Sequence, residues 1–177
     1  MNALSKSHYE LFGLPEGFAI DAAALDAAYR SVQGAVHPDR FGGASDTERR
    51  IAMQFATQAN EAYRTLRDPV RRAAYLCALH GADPRVHSNT AMPASFLGLQ
   101  MEWRERLEEA RDARSAEELR VLRDELDDSR ASLIARLAEA IDGGRDYELA
   151  AGLVRQLMFV ERFGEDVDAA DDLLAAH

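Results

Sequence analysis

The sequence of 177 residues contains a single cysteine, Cys77, and is short of basic residues. One thiol excludes an intramolecular disulfide and any cysteine-ligated zinc or iron–sulfur site. Lysine and arginine together number 21, against 31 aspartates and glutamates, so the formal charge is −10. Nucleic-acid and anionic-membrane binding both draw their affinity from clustered cations, so we predict neither kind of partner.

Long hydrophobic runs are also missing. No stretch of about eighteen consecutive apolar residues occurs, so we predict no membrane-spanning helix. Residues 1–15 include no apolar run of signal-peptide length. Together with the single thiol, this leads us to expect a cytoplasmic protein.

Charge is distributed unevenly along the chain. Residues 1–80 have no net formal charge, whereas residues 81–177 carry the whole acidic excess. Apolar residues make up 47% of the chain, which is typical of a folded protein. The asymmetry indicates two modules that face different partners.

Apolar residues recur at helical spacing nearly throughout, and no segment shows the alternation of a strand. In the first 80 residues, Asp21 can cap a helix that Pro38 must end. A longer helix then reaches Leu66, and Asp68-Pro69 is typical of the start of another, which Gly81 ends. A short helix is expected at residues 8–14, before these three.

Residues 81–93 combine two prolines, a glycine and turn formers, and we place the domain boundary there. Three amphipathic helices follow in residues 94–177. The second begins with Ser115 and Glu118, a capping-box pair, and the third begins near Asp146. Short loops between long helices predict an antiparallel three-helix bundle.

The loop after the predicted second helix carries the tripeptide His37-Pro38-Asp39. The tripeptide alone is a weak signal, because a proline that ends a helix followed by an aspartate turn explains it equally well. Its context is more specific. The preceding helix bears Tyr29 and Arg30, and the following helix ends in the sequence NEAYRTL.

This arrangement over residues 8–76 resembles a J domain, the module that activates the ATPase of DnaK-type chaperones. The stretches DPVRRAAYL and LHG, with the acidic bundle that follows, resemble one subfamily, the HscB/Jac-type co-chaperones of iron–sulfur cluster assembly. The resemblance implies an all-α, L-shaped protein. It would comprise a J domain at 1–80, a linker at 81–93 and a scaffold-binding bundle at 94–177.

The resemblance also implies a docking role for the loop. His37, Pro38, Asp39 and Arg40, with Tyr29 and Arg30, are expected to contact the chaperone. An imidazole and a carboxylate two residues apart could form an acid–base pair, but no third polar group nearby in sequence would orient them. We therefore predict no catalytic residue and no enzymatic activity.

One feature departs from the subfamily pattern. The second helix is usually basic in J domains, whereas residues 21–36 here carry one arginine, Arg30, against Asp21 and Asp26. Electrostatic attraction of an acidic chaperone surface is expected to be weak from this helix alone.

The first bundle helix carries apolar residues on two faces. On a helical wheel, Phe96, Trp103 and Leu107 form the expected core stripe, but Leu97 and Met101 fall outside it. On the third bundle helix, Leu149 falls within the predicted core stripe and Phe159 falls clear of it. Leu97 and Met101 could pack against the J domain, or they could form a partner site with Phe159.

The subfamily resemblance favours a partner site. The residues at the positions of the subfamily's scaffold-binding surface are Leu97, Gly98, Met101, Glu102, Glu105, Glu109 and Phe159. Gly98 departs from the pattern, because a larger apolar residue is expected at that position.

The function implied is that of a co-chaperone with two protein partners. It would stimulate the ATPase of a specialised DnaK-type chaperone, HscA-like, and deliver an IscU-like iron–sulfur scaffold protein to it. No metal site or cofactor is predicted. The alternatives are a J protein that serves another client and a helical interaction protein without chaperone activity.

Overall fold

A computed structural model of the chain describes residues 6–36, 45–84 and 92–176. Over these residues the protein is all-helical, with seven α-helices and one π-helical turn and no strand. The chain divides into two compact units, Met1–Leu76 and Cys77–His177. Each unit is described by itself below.

The first unit contains a long helical hairpin and two shorter helices. Its helices are α1 (His8–Phe12), α2 (Ala22–Ala35), α3 (Asp46–Arg67) and α4 (Pro69–Leu79), the last of which continues past Leu76. Gly13 ends α1 in the left-handed conformation at φ 63°, which glycine adopts without steric cost. The core is formed by apolar side chains from all four helices, chiefly Tyr9, Phe12, Leu25, Ala59, Ala62, Leu66, Ala73 and Leu76.

The predicted caps of the first unit are confirmed. The Asp21 carboxylate accepts hydrogen bonds from the Ala23 and Ala24 amides at 2.9 and 3.1 Å. Asp68 accepts from the amide of Arg71 at 2.8 Å and so begins α4. These bonds satisfy amide groups that have no partner within the helix, which is why short polar side chains mark helix starts.

The second unit contains three long helices, α5 (Ala94–Asp112), α6 (Ala116–Ala138) and α7 (Tyr147–Ala175). A π-helical turn, Glu139–Gly143, extends α6. Arg130 lies beside Glu161 and Arg123 beside Asp168, so α6 and α7 run antiparallel. The three-helix bundle predicted from the apolar periodicity is confirmed.

The bundle core differs from the predicted stripe at Leu149, whose side chain is 50% exposed. Leu149 points in the same direction as Val167, which is buried. However, Phe159 of α7 packs against Phe96, only two residues into α5. Leu149 therefore lies beyond the start of α5, where that helix does not cover it. A helical wheel gives the direction in which a side chain points from its own helix. It does not show where along that helix a neighbouring helix begins.

Candidate docking surfaces

The tripeptide His37-Pro38-Asp39 and the following Arg40 lie outside the described residues. The helices on either side of them are described. α2 ends at Ala35, as a helix before Pro38 must, and α3 begins at Asp46. The Ser45 and Glu48 side chains cap α3 reciprocally, with each accepting the other residue's amide.

Tyr29 lies in the seam between α2 and α3 rather than on a free surface. Its ring stacks on Tyr63 with centroids 4.1 Å apart, and its hydroxyl donates to the Asn60 carboxamide oxygen at 2.7 Å. The Gln33 amide donates to both of these oxygens, at 2.9 and 2.6 Å. Tyr29 is half-buried and holds the hairpin together, whereas Arg30 is exposed.

A second polar cluster joins α2 and α3 one turn away, and sequence reasoning missed it. The Tyr63 hydroxyl donates to Asp26 at 2.8 Å, and Arg67 donates to the same hydroxyl. The Arg67 guanidinium lies 3.5 Å from the Asp26 carboxylate and 5.5 Å from the centre of the Tyr63 ring. No short motif marks these contacts, because 37 residues separate Asp26 from Tyr63.

Leu97 and Met101 are exposed on α5, with 45% and 71% of their surface open to solvent. They lie one helical turn apart on the same side of α5. Gly98 is also exposed, and a Cβ built there would meet no atom within 4 Å. Two large apolar side chains and an open position thus lie together on α5.

Three carboxylates border these apolar residues. Glu102, Glu105 and Glu109 are all exposed, and none of them forms an ion pair with another residue in the described part of the chain. Arg106 of α5 turns toward α6, where it donates hydrogen bonds to the carboxylates of Glu118 and Glu125 at 2.9 and 2.7 Å. The exposed side of α5 therefore remains acidic.

The hydrogen bonds to Glu125 and Glu118 raise the pKa of Arg106. Its hydrogen bond to Glu125 lowers the pKa of that carboxyl, against the opposing effect of partial burial. Arg106 thus pairs with two carboxylates of α6, whereas within the described residues Glu102, Glu105 and Glu109 form no ion pair.

The helical wheel predicted that Phe159 lies clear of the core. In the structure its side chain is half-buried instead. Its ring packs edge-on against Phe96 at 5.8 Å and parallel to Phe163 at 5.8 Å. Trp103 lies 6.5 Å away, and the Arg104 guanidinium lies 5.5 Å above the ring. Large rings on α5 reach sideways to α7, so a residue outside the narrow core stripe still joins the core.

The seven residues of the predicted scaffold surface occupy one unit, six on α5 and one on α7. Arg104 lies among them and was not identified from the sequence. Among the described residues, no helix combines the length and the hydropathy needed to cross a membrane.

Two family models match the chain in succession. The DnaJ domain matches residues 7–75, and the HSCB C-terminal oligomerisation domain matches residues 92–168. The Co-chaperone protein HscB homolog of Burkholderia thailandensis is 54% identical over 169 residues, which cover 96% of each chain. The homolog of Burkholderia cenocepacia is also 54% identical, with the same coverage.

Two solved structures share the fold. Chaperone HscB from Vibrio cholerae superposes with a TM-score of 0.81 at 34% identity, covering 96% of this chain and 99% of that one. The human co-chaperone protein HscB superposes with a TM-score of 0.85 at 26% identity, covering 93% and 82%.

Proposed function

Because the chain belongs to the HscB family of co-chaperones, we propose that it delivers an iron–sulfur scaffold protein to a specialised DnaK-type chaperone and stimulates the chaperone's ATPase. Family membership makes it a co-chaperone of iron–sulfur cluster assembly. Its J domain makes an Hsp70-class chaperone its partner. The HscA-like chaperone and the IscU-like scaffold belong to the proposal, as does a cytoplasmic location.

One observation carries the scaffold half of the proposal. The HscB-type unit leaves Leu97 and Met101 exposed beside exposed carboxylates on α5. Apolar anchors surrounded by charge are typical of protein-binding surfaces. The anchors would be buried in the complex, and Glu102, Glu105 and Glu109 would pair with cations on the scaffold.

The chaperone half rests on the loop between α2 and α3. In the proposal His37, Pro38 and Asp39 contact the chaperone and trigger hydrolysis, and Arg40 and Arg30 add positive charge nearby. Tyr29 contributes indirectly, since its contacts with Asn60 and Tyr63 hold the two helices that present the loop. The protein itself performs no catalysis and needs no cofactor in this proposal.

The test is steady-state ATP hydrolysis by the chaperone, with this protein added and with the scaffold present or absent. We expect stimulation by the protein alone and a more than additive increase when scaffold is added. Asp39→Asn should abolish both effects, with an unchanged helical circular dichroism spectrum. The control is Asp128→Asn, which removes the same charge from an exposed position on α6.

Each other outcome removes a defined part of the proposal. Stimulation that does not depend on the scaffold would favour a J protein that serves another client. No stimulation by the wild-type protein would leave a helical interaction protein. Normal stimulation by Asp39→Asn would overturn the role of the loop.

A further inference from the structure

The charge of the protein surface around α2 differs from the charge that the sequence of α2 alone suggests. Within the helix, Asp26 is the only acidic residue and Arg30 the only basic one. Asp26 does not face solvent as a free carboxylate, because it accepts the Tyr63 hydroxyl at 2.8 Å and lies 3.5 Å from Arg67 of α3. The acidic residue of α2 is therefore neutralised by a cation from α3.

Arg67 is held in place yet remains accessible. Its guanidinium donates to the Tyr63 hydroxyl and lies against the Tyr63 ring, and its side chain is 64% exposed. The guanidinium of Arg67 is charged at every physiological pH, as in any arginine, and the hydrogen bond to Tyr63 and the nearby Asp26 raise its pKa further. Its position in the last turn of α3 also favours a cation, because the helix dipole is negative there.

We propose that Arg67 of α3 is a further docking residue: it adds its positive charge to that of Arg30 on the surface that faces the chaperone. The inference rests on the proposed function and extends it to α3. Asp26 neutralises part of that charge, so it should oppose docking, whereas the two arginines should favour it.

The preorganisation of Arg67 strengthens this assignment. A free arginine loses rotamer entropy when a partner immobilises it, which reduces the affinity gained from a new ion pair. Arg67 is already restrained by Tyr63 in the unbound protein. Tyr63 therefore acts as a positioning residue for the cation, in addition to stacking on Tyr29.

Two single variants test the inference. A docking role predicts that they change the chaperone ATPase in opposite directions, whereas a purely structural role predicts changes in the same direction. Arg67→Gln removes the cation, and Asp26→Asn removes the carboxylate while retaining an oxygen for the Tyr63 hydroxyl. The measured quantity is the concentration of this protein that gives half-maximal stimulation of the chaperone ATPase. We expect it to rise roughly two- to fivefold in Arg67→Gln and to fall by a similar factor in Asp26→Asn.

Both shifts should shrink at high ionic strength, since exposed charges are screened by salt. The matched control is Arg120→Gln, which makes the same charge change at an exposed position on α6. It should leave the half-maximal concentration unchanged. Thermal unfolding of each variant gives the structural contribution separately.

A purely structural role for the Arg67–Asp26 pair predicts another pattern, because both variants break the same pair. Shifts in the same direction, or no shift in either variant while the wild type stimulates, would overturn the inference. Failure of the wild-type protein to stimulate would instead count against the proposed function.

Discussion

Phe159 belongs both to the bundle core and to the proposed scaffold surface. One part of its ring packs on Phe96 and Phe163, and the Arg104 guanidinium covers another part. Replacing Phe159 by alanine would therefore remove core contacts as well as a docking contact, and core aromatic truncations cost about 3–5 kcal/mol. Leu97 and Met101 are the better residues for testing the surface, because they are exposed.

His8 gives the first unit a pH-dependent contribution to stability. Its ring stacks on Tyr75 with centroids 4.1 Å apart. Burial lowers the pKa of His8 from 6.5, against a smaller opposing effect of Glu61. The neutral imidazole is thus favoured in the fold. The stabilisation is present above pH 6.5 and is lost as the pH falls below that value toward the lowered folded pKa.

We expect His8→Phe to keep an aromatic stack on Tyr75 without this proton uptake. The thermal midpoint of the wild type should therefore fall more than that of the variant between about pH 7 and about pH 5. All other titrating groups are common to the two proteins, so the difference reports His8. Parallel pH profiles would contradict this prediction.

Gly98 leaves a vacant position on the proposed scaffold surface, since a Cβ there meets no atom within 4 Å. Gly98→Met should add an apolar anchor beside Leu97 and Met101. Burying two methylene groups contributes about 1.6 kcal/mol, so scaffold affinity should rise roughly tenfold. Calorimetric titration with the scaffold measures this change.

Gly98→Ala is the control for this variant. It removes the glycine penalty of about 1 kcal/mol in the helix but adds almost no anchor. Affinity for the scaffold that is equal in Gly98→Ala and Gly98→Met would contradict the anchor interpretation.

At the scale of the helix, α6 begins with half of the predicted capping box. The Ser115 hydroxyl accepts from the Glu118 amide at 3.2 Å, as predicted. The Glu118 carboxylate does not return to the Ser115 amide, which donates to the Ala110 carbonyl instead. It pairs with Arg106 of α5 at 2.8 Å. Glu118, which the sequence identified only as part of a helix cap, thus also connects α6 to α5.

We expect Ser115→Ala to lower the free energy of unfolding by about 1 kcal/mol, because one amide at the start of α6 loses its partner. Urea denaturation followed by circular dichroism measures the change. The control is Ser132→Ala, an exposed position inside α6, where alanine should be neutral or slightly stabilising. Equal effects of the two variants would contradict the cap.

At the scale of the whole molecule, the proposed function divides between the two compact units. The chaperone-facing residues belong to Met1–Leu76 and the scaffold-facing residues to Cys77–His177. The net charge divides in a similar way, since residues 81–177 carry the whole acidic excess. Damage to one surface should therefore leave the other function measurable.

The double variant Leu97→Ala, Met101→Ala tests this division. We expect at least a tenfold loss of scaffold affinity and of the scaffold-dependent ATPase increment, because two anchors are removed. Stimulation by the protein alone should remain. Leu173→Ala is the matched control, since that leucine is 65% exposed on α7 and lies outside the proposed surface. Loss of scaffold-independent stimulation in the double variant would contradict the division.

The sequence by itself determined the order of the helices and several of their ends. Asp21, Ser115 and Asp68 mark helix starts because a short polar side chain satisfies amides within three residues of itself, a contact that needs no tertiary structure. The apolar periodicity likewise predicted the three bundle helices. The motifs around the loop and along α5 were specific enough to indicate the family, although the loop residues 37–40 are outside the described part.

The tertiary structure decided which side chains are available to a partner. Leu149 is exposed because α5 does not extend to cover it, and Phe159 is half-buried because rings from α5 reach it. The charge of Asp26 is offset by Arg67, a residue 41 positions later in the chain. Exposure and net surface charge depend on what neighbouring helices place beside a residue, and the order of residues along one helix does not specify that.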